Sequence, residues 1–440
     1  MNKYKYPIIL SLIIFVVCLV YSFYFQIKLQ GDTIAYDTIA TNIANGRGYT
    51  EFPNRQLGWD RDIVHIGHSY TVFLALIYKI FGHHYSLIWF SQALLHSLTC
   101  LLLFFVCLNI FEKNISEKIG LLAMGLYGFW PDLVESTAML MTETFFLFLV
   151  VLIVYLIIKF FQNPNIKKAI IISIITSVAV FTRPTILLFS LVFVIVAFFK
   201  KDFKRKYIYL IIFLIIPIIA MSFWMLRNYL KYDRFVFSTA GGYDLWIGNN
   251  AQANGEMEPS EEIRNYFAEY GFVNIDKKGI KEVKKFALEQ PIHFLKLQLI
   301  KTSKYFSLIR PTGWWPHLNK VGKSLTLLFS GLFGAIGFIF GISGIVRILK
   351  EKEFFSRLLV YLTIIGPIAV IPIVVGTRYR YQIYPFLAIF AAYFLIMLFL
   401  KNQKKLYKIL LIVFIVLVLN SVYDLITDFD VFLKHLYRII

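Results

Sequence analysis

The chain has 440 residues, of which 58% are hydrophobic and only 16% charged, where a soluble domain carries about 25% charge. Its apolar residues fall in span-length runs broken by short charged clusters, which excludes a soluble globular enzyme, a disordered chain and a fibrous repeat and indicates an all-α polytopic membrane protein. Lys and Arg outnumber Asp and Glu by 45 to 26, a surplus that in such a chain orients the spans rather than binding nucleic acid.

The first apolar run, 7–27, follows Lys3 and Lys5 and has no small-residue cleavage site. It reads as an uncleaved span rather than a signal peptide. About eleven spans are predicted, at 7–27, 85–111, 117–134, 141–161, 168–183, 184–199, 207–227, 324–346, 357–376, 382–400 and 407–425. The fifth and sixth meet at Arg183-Pro184, with Pro184 placed for the first turn of the second helix. Between the first two spans, Ile34 and Thr38, and Ala35 and Ile39, recur at i, i+4. This predicts a surface helix closed by Gly46 and Gly48. A second surface helix is expected from Ser69 to Phe81, which is too short to span. A longer polar segment, about 228–323, contains the helical patterns KEVKKFALEQ and PIHFLKLQLIKTSKYFSLI. The expected units are 1–230, a transmembrane module with outer loop 28–84; 231–323, an extracytoplasmic loop region; and 324–440, the C-terminal transmembrane helices.

One alternate set of loops carries 20 Lys and Arg, while the short loops of the other set hold only Arg183, Arg378 and Arg380. The positive-inside rule therefore puts the N-terminus in the cytoplasm of a multi-pass cell-membrane protein, with both long polar segments outside. Cys18, Cys100 and Cys107 all lie in apolar runs. An odd number without C-x-x-C suggests neither a disulfide framework nor a zinc site.

Charges in or beside spans are costly and mark candidate sites. On the outer side these are Asp32, Asp37, Asp132, Glu135 and Glu143, with Arg61, Arg183, Arg227, Arg378 and Arg380. A carboxylate can serve as general base toward a hydroxyl or amine, and arginines hold phosphate through forked hydrogen bonds. Together in a membrane they point to a lipid-phosphate substrate. Several also have a plain structural reading. Asp32 fits a cap for a helix starting at Thr33, Asp132 follows Pro131 as an ordinary turn residue, Thr142-Glu143 fits a cap of the fourth span, and Arg378 and Arg380 fit interface anchors. His65, His68, His83 and His84 share one loop without metal-ligand spacing.

At these residues the sequence resembles a family. Asp32-x-x-x-Tyr36-x-x-x-Ala40 followed by Asn45-Gly46-Arg47-Gly48-Tyr49 is similar to the first outer loop of bacterial GT-C glycosyltransferases, in the branch of the protein O-mannosyltransferases and lipid A aminoarabinose transferases. Further similar motifs follow in order: Phe73-Leu74-Ala75 with Tyr78 and Phe81-Gly82; Pro131 and Thr142-Glu143; Thr182-Arg183-Pro184; Trp224 with Arg227-Asn228-Tyr229; Ser238-Thr239 with Gly241-Gly242; Leu245-Trp246-Ile247-Gly248-Asn249-Asn250; and Arg378-Tyr379-Arg380-Tyr381 with Pro385. The resemblance covers about 1–400. There are departures. His68-Ser69-Tyr70-Thr71 stands where Pro-Gly-Tyr-Pro is common, Gly67 replaces a basic residue that holds the donor phosphate, and Asp32-Thr33 replaces an Asp-Glu pair.

The resemblance implies a GT-C fold. It also implies transfer of a sugar from a polyprenyl-phosphate-linked donor to a glycan, lipid or protein acceptor, with inversion, on the extracytoplasmic face of the lipid bilayer. By position Asp32 would be the general base and Glu143 its support. Arg61, His65, Arg183, Arg227, Arg378, Arg380, Tyr36 and Asp132 would be donor-phosphate or substrate-binding residues, with no metal or other cofactor required. Two other readings remain open. A transporter or flippase for lipid-linked sugars would show internal repeats and charges near the bilayer midplane. A noncatalytic lipid-glycan binding subunit would share the fold without the activity.

Overall fold

The computed structural model describes residues 4–52, 63, 67–199, 206–310, 315, 317–351, 353–401 and 404–429. Among them the only regular elements are helices. In chain order these are α1 (Lys5–Phe25), α2 (Asp32–Ala44), α3 (His68–Phe81), α4 (Tyr85–Ile110), α5 (Lys113–Gly128), α6 (Pro131–Ala138), α7 (Thr142–Gln162), α8 (Ile166–Thr182), α9 (Ile186–Phe199), α10 (Lys206–Tyr232), α11 (Ala240–Gly248), α12 (Glu261–Tyr270), α13 (Ile275–Glu289), α14 (Pro291–Phe306), α15 (Lys320–Ile348), α16 (Phe354–Val370), the 3-10 helix Thr377–Ile383, α17 (Tyr384–Lys401) and α18 (Lys404–Thr427).

Among the described residues, seven helices are long and apolar enough to cross a membrane: α1, α4, α7, α10, α15, α17 with the 3-10 helix before it, and α18. Every one of the eleven expected segments is helical. Four of them, however, contain the shorter helices α5, α8, α9 and α16, of 16, 17, 14 and 17 residues. The third expected span is also broken. It ends at Gly128, and Pro131 opens the separate eight-residue α6, because proline suits a first helical turn but not an interior. Asp132 and Glu135 thus ride on a short buried helix rather than on a span end.

Close helix packing uses small residues, as expected where lipid gives helices no hydrophobic drive to associate. A Cβ at Gly344 on α15 would collide with the Phe390 carbonyl of α17, and one at Gly128 would collide with Ile14 of α1. Between them the spans bury a large aliphatic and aromatic core. Leu12, Val20 and Tyr24 of α1 stay outward, as suits a lipid-facing surface.

The two expected surface helices form a second, smaller core. Tyr36 and Ala40 of α2 pack on Tyr70, Leu74 and Tyr78 of α3. Asp37 is fully used here. It accepts hydrogen bonds from Tyr78 Oη at 2.6 Å and Tyr85 Oη at 3.2 Å, and its Oδ1 lies 2.9 Å from His83 Nε2. The long polar segment contributes α11 to α14, with the expected patterns falling in α13 and α14 and Pro291 at the first position of α14.

Candidate functional site

The site forms where four separated chain segments meet. α7 begins with Thr142 and Glu143, and α8 ends one residue before Arg183. Antiparallel neighbours bring such ends together. Arg183 Nη2 lies 2.7 Å from Glu143 Oε1, and Arg183 also donates from Nε and Nη2 to Thr142 Oγ1 at 3.2 and 3.0 Å. Glu143 is buried, with 2% of its side chain exposed. Its partner is therefore a necessity, since a buried carboxylate stripped of its cation costs about 3–5 kcal/mol. The cap reading of Thr142-Glu143 gives way to this pair, because α7 carries no side-chain cap bond.

The third segment is the 3-10 helix. Arg378 reaches across to Glu143 Oε1 at 3.9 Å and to Asp32 Oδ2 at 3.8 Å. Among the described residues its one hydrogen bond is a weak contact with Met141 Sδ at 3.5 Å. Most of its five donors are unfilled, the condition of an anion-binding guanidinium.

The fourth segment is the start of α2. The residue at its N-cap is Gly31, no side chain caps the helix, and Asp32 occupies the first turn. The local turn is instead closed by Thr33, whose Oγ1 accepts from Gln30 N–H at 2.7 Å. Asp32 is therefore not a cap. It is half-exposed and faces Arg378. Tyr36, one turn on, is buried, and burial together with the Asp32 and Glu143 charges pushes its hydroxyl up and keeps it neutral. A Cβ at Gly67 would lie 2.9 Å from both Tyr36 Cε1 and Thr142 Cγ2. No side chain fits there, so the place of the usual basic residue is filled by packing, and the nearby cations are Arg378 and Arg183.

The remaining expected residues are placed elsewhere. Arg380 is buried and donates to the Ser307 carbonyl at 3.0 Å and the Lys304 carbonyl at 2.8 Å. A 3-10 helix turns about 120° per residue, so residues two apart diverge while residues three apart align. Arg378 and Tyr381 accordingly border one small cavity with Glu143 and Asp132, and Arg380 points into the core. Arg227 donates to Asn228 Oδ1 at 2.7 Å and the Tyr49 carbonyl at 2.9 Å, and stacks over Trp224. It ties the first outer loop to α10. Asp132 accepts from Ser330 Oγ at 2.6 Å and Trp130 Nε1 at 3.2 Å, which makes it an anchor at the cavity wall. Arg61 and His65 lie outside the described residues. Among the described residues no three His, Cys, Asp or Glu side chains gather closely enough to hold a metal ion.

One nearby residue escaped the sequence reading. Asp244 on α11 is partly buried, and burial together with the Asp32 charge pushes its carboxyl up to about 7. A signal existed, because Asp244 is the only charged residue in 235–255.

Residues 69–224 match the family model described as dolichyl-phosphate-mannose-protein mannosyltransferase. No curated protein matches the chain. Among solved structures, it is similar to the oligosaccharyltransferase of Archaeoglobus fulgidus in the apo form, at 14% identity and a TM-score of 0.50, over 96% of this chain and 55% of that one. It is also similar to the oligosaccharyltransferase AglB of Archaeoglobus fulgidus in complex with an inhibitory peptide and a dolichol-phosphate, at 16% identity and a TM-score of 0.48, over 94% and 54%. The chain thus spans about half the length of these structures, and at such identities the likeness concerns the fold alone. Glu143 and Arg183 lie inside the matched segment, whereas Asp32, Asp244 and Arg378 lie outside it. Of the motifs that resemble GT-C glycosyltransferases, those from Phe73 to Trp224 fall inside the segment matched by the family model, while the likeness over nearly the whole chain is one of fold.

Proposed function

We propose that the protein is a membrane glycosyltransferase. It moves a sugar from a polyprenyl-phosphate-linked donor to a hydroxyl or amine of a glycan, lipid or protein acceptor, on the extracytoplasmic face. The observation that carries this is the pairing of Asp32 with Arg378: a half-exposed carboxylate 3.8 Å from a guanidinium with unfilled donors.

The chemistry follows from that pair. A lipid phosphate is already a competent leaving group. As the acceptor oxygen or nitrogen attacks the anomeric carbon, its proton passes to Asp32. The bond from the anomeric carbon to the phosphate oxygen breaks, and its electron pair leaves with the polyprenyl phosphate. Arg378 meets the charge that develops on that phosphate, with Arg183 behind it. Glu143 holds Arg183 at 2.7 Å and draws Arg378 toward it from 3.9 Å, so both cations are gathered before substrate arrives, and such preorganisation makes electrostatic stabilisation effective. A single displacement inverts the anomeric centre. The positive-inside distribution of Lys and Arg supports the outer face.

The test is reconstitution with labelled polyprenyl-phosphate sugars and candidate acceptors, following release of polyprenyl phosphate. Turnover that falls in Asp32→Asn while donor binding persists supports the reading. Equal turnover in both proteins removes Asp32 from its role. Movement of the lipid between leaflets without turnover would favour a carrier.

A further inference from the structure

α11 is held rigidly to the stretch of chain that leads into Arg378. Its Gly248 packs so closely on Ile373 that a Cβ there would collide with the carbonyl. Asn249, at its end, donates to the Pro372 and Ile373 carbonyls at 3.1 and 2.9 Å. Val375 N–H donates to the Gly255 carbonyl at 2.8 Å. Tyr243 and Leu245 share a packed cluster with Tyr379. Asp244 lies between these two residues on α11, and its charge acts on both Asp32 and Tyr379. Among the described residues it makes no hydrogen bond and no ion pair.

A fixed, partly buried acid without a protein partner, beside the base of a reaction, calls for a polar ligand. A phosphate does not suit it, because two carboxylates repel an anion. The cations that suit a phosphate, Arg378 and Arg183, are gathered around Glu143. A hydroxyl does suit it, since it donates to a carboxylate and accepts from a carboxylic acid. We propose that Asp244 binds a hydroxyl of the transferred sugar and so positions the anomeric carbon toward Asp32. This deepens the glycosyltransferase reading and rests on it.

Charged and titratable groups on the elements near α11 include Asp32 on α2, Arg378 and Tyr379 on the 3-10 helix, Lys301 on α14, which bonds Asn249, and on α13 a run of lysines and acids that includes Asp276 and Lys278. The last two are engaged by Arg234 and Glu282. Tyr243 lies beside Asp244 on its own helix. Burial and Asp32 raise the Asp244 carboxyl from its ordinary 3.8 to about 7. The folded protein therefore keeps a proton there that the unfolded chain loses above pH 3.8. Stability falls as pH rises through that window, and the whole penalty stands above pH 7.

The experiment measures binding of two probes to the reconstituted full chain: a decaprenyl-phosphate sugar, chosen from a panel of hexoses and pentoses as the one the wild type binds best, and bare decaprenyl phosphate. Asp244→Ala is expected to weaken the sugar-bearing lipid at least tenfold and leave the bare lipid phosphate unchanged. Asp244→Asn keeps the shape and guards against a folding defect. It is expected to raise the melting temperature at pH 8 but not at pH 4, while weakening the sugar-bearing lipid in the same direction. Equal loss for both probes, or loss for neither, overturns the proposal. Asp32→Asn assayed alongside separates the two claims. Turnover absent even from the wild type sinks the glycosyltransferase reading itself, turnover that survives Asp32→Asn removes only Asp32 from its role, and wild-type turnover with Asp244→Ala indistinguishable from wild type sinks only the sugar contact.

Discussion

Two charged clusters stand in the polar regions of this protein, and they differ in how completely their charges are matched. In one, Lys304 on α14 is 1% exposed and lies 3.0 Å from Glu256 and 2.9 Å from Asp428. Arg310 pairs with Asp424 at 2.6 Å and also with Glu256 and Asp428. This cluster fastens the end of α14 to the end of α18. In the other, Arg378 stands 3.8 and 3.9 Å from Asp32 and Glu143, too far for good hydrogen bonds. A closely paired cluster keeps both of its cations engaged and leaves little with which to bind an anion. The loosely matched one keeps donors and an exposed carboxylate for a substrate.

The sharpest way to test that contrast is to neutralise one member of each. Asp32→Asn is expected to lower kcat by about 10²–10⁴-fold, the usual scale for a lost general base. Its melting temperature should stay near the wild type, because Asp32 is half-exposed and makes no close pair. A kcat within twofold of wild type would break the assignment. Arg310→Met should do the reverse. It leaves Glu256, Asp424 and Asp428 short of a cation, at a cost of about 3–5 kcal/mol. Thermal unfolding in detergent should show the loss, while turnover per folded molecule holds. An Arg310→Met protein that melts like the wild type would show the cluster to be dispensable.

The same contrast recurs within one helical turn. Arg378→Ala is expected to raise the donor KM by roughly 10–100-fold, since a hydrogen bond to a charged group contributes about 1.5–3 kcal/mol. Arg380→Ala should leave KM alone and lower stability, because its bonds end on the Ser307 and Lys304 carbonyls. Steady-state kinetics beside thermal melts would tell the two apart. Equal effects of both substitutions on KM would contradict the geometry.

Much of this was legible in the residues. Hydropathy located the apolar helices and periodicity α2, α3, α13 and α14, while α6, α11 and α12 were not expected; charges costly in lipid singled out Asp32, Glu143, Arg183 and Arg378 as candidates. What stayed hidden depended on local geometry or on distant partners. Arg378 and Arg380 look equivalent until a 3-10 helix sends them in different directions. Asp37 looks like Asp32 until Tyr78, Tyr85 and His83 converge on it. Asp244 carries no local mark of function in its run of glycines and tryptophan, because its environment is built by α2 and by the stretch before Arg378, far away in sequence. The break at Pro131 follows from proline chemistry, but the apolar residues on either side of it mask it in a hydropathy reading.

The smallest expected effect concerns Lys301, which is buried on α14 and bound only to neutral oxygens. Its Nζ donates to Asn249 Oδ1 at 2.7 Å, the Pro372 carbonyl at 3.1 Å and the Ile373 carbonyl at 3.3 Å. It thereby reinforces the join between α11 and the approach to Arg378. Burial lowers its amine from 10.5 to about 7. Between those values the unfolded chain holds a proton that the folded protein does not. Stability contributed at this position should therefore rise as pH climbs from about 7 to 10.5, and below 7 the full penalty of a buried charge should apply. Lys301→Met removes the titration and leaves those oxygens short of a donor, for a loss of about 1–3 kcal/mol. Melting curves across pH 6 to 10 are expected to rise more steeply in the wild type than in the variant. Parallel curves would mean that the amine does not lose its proton on folding.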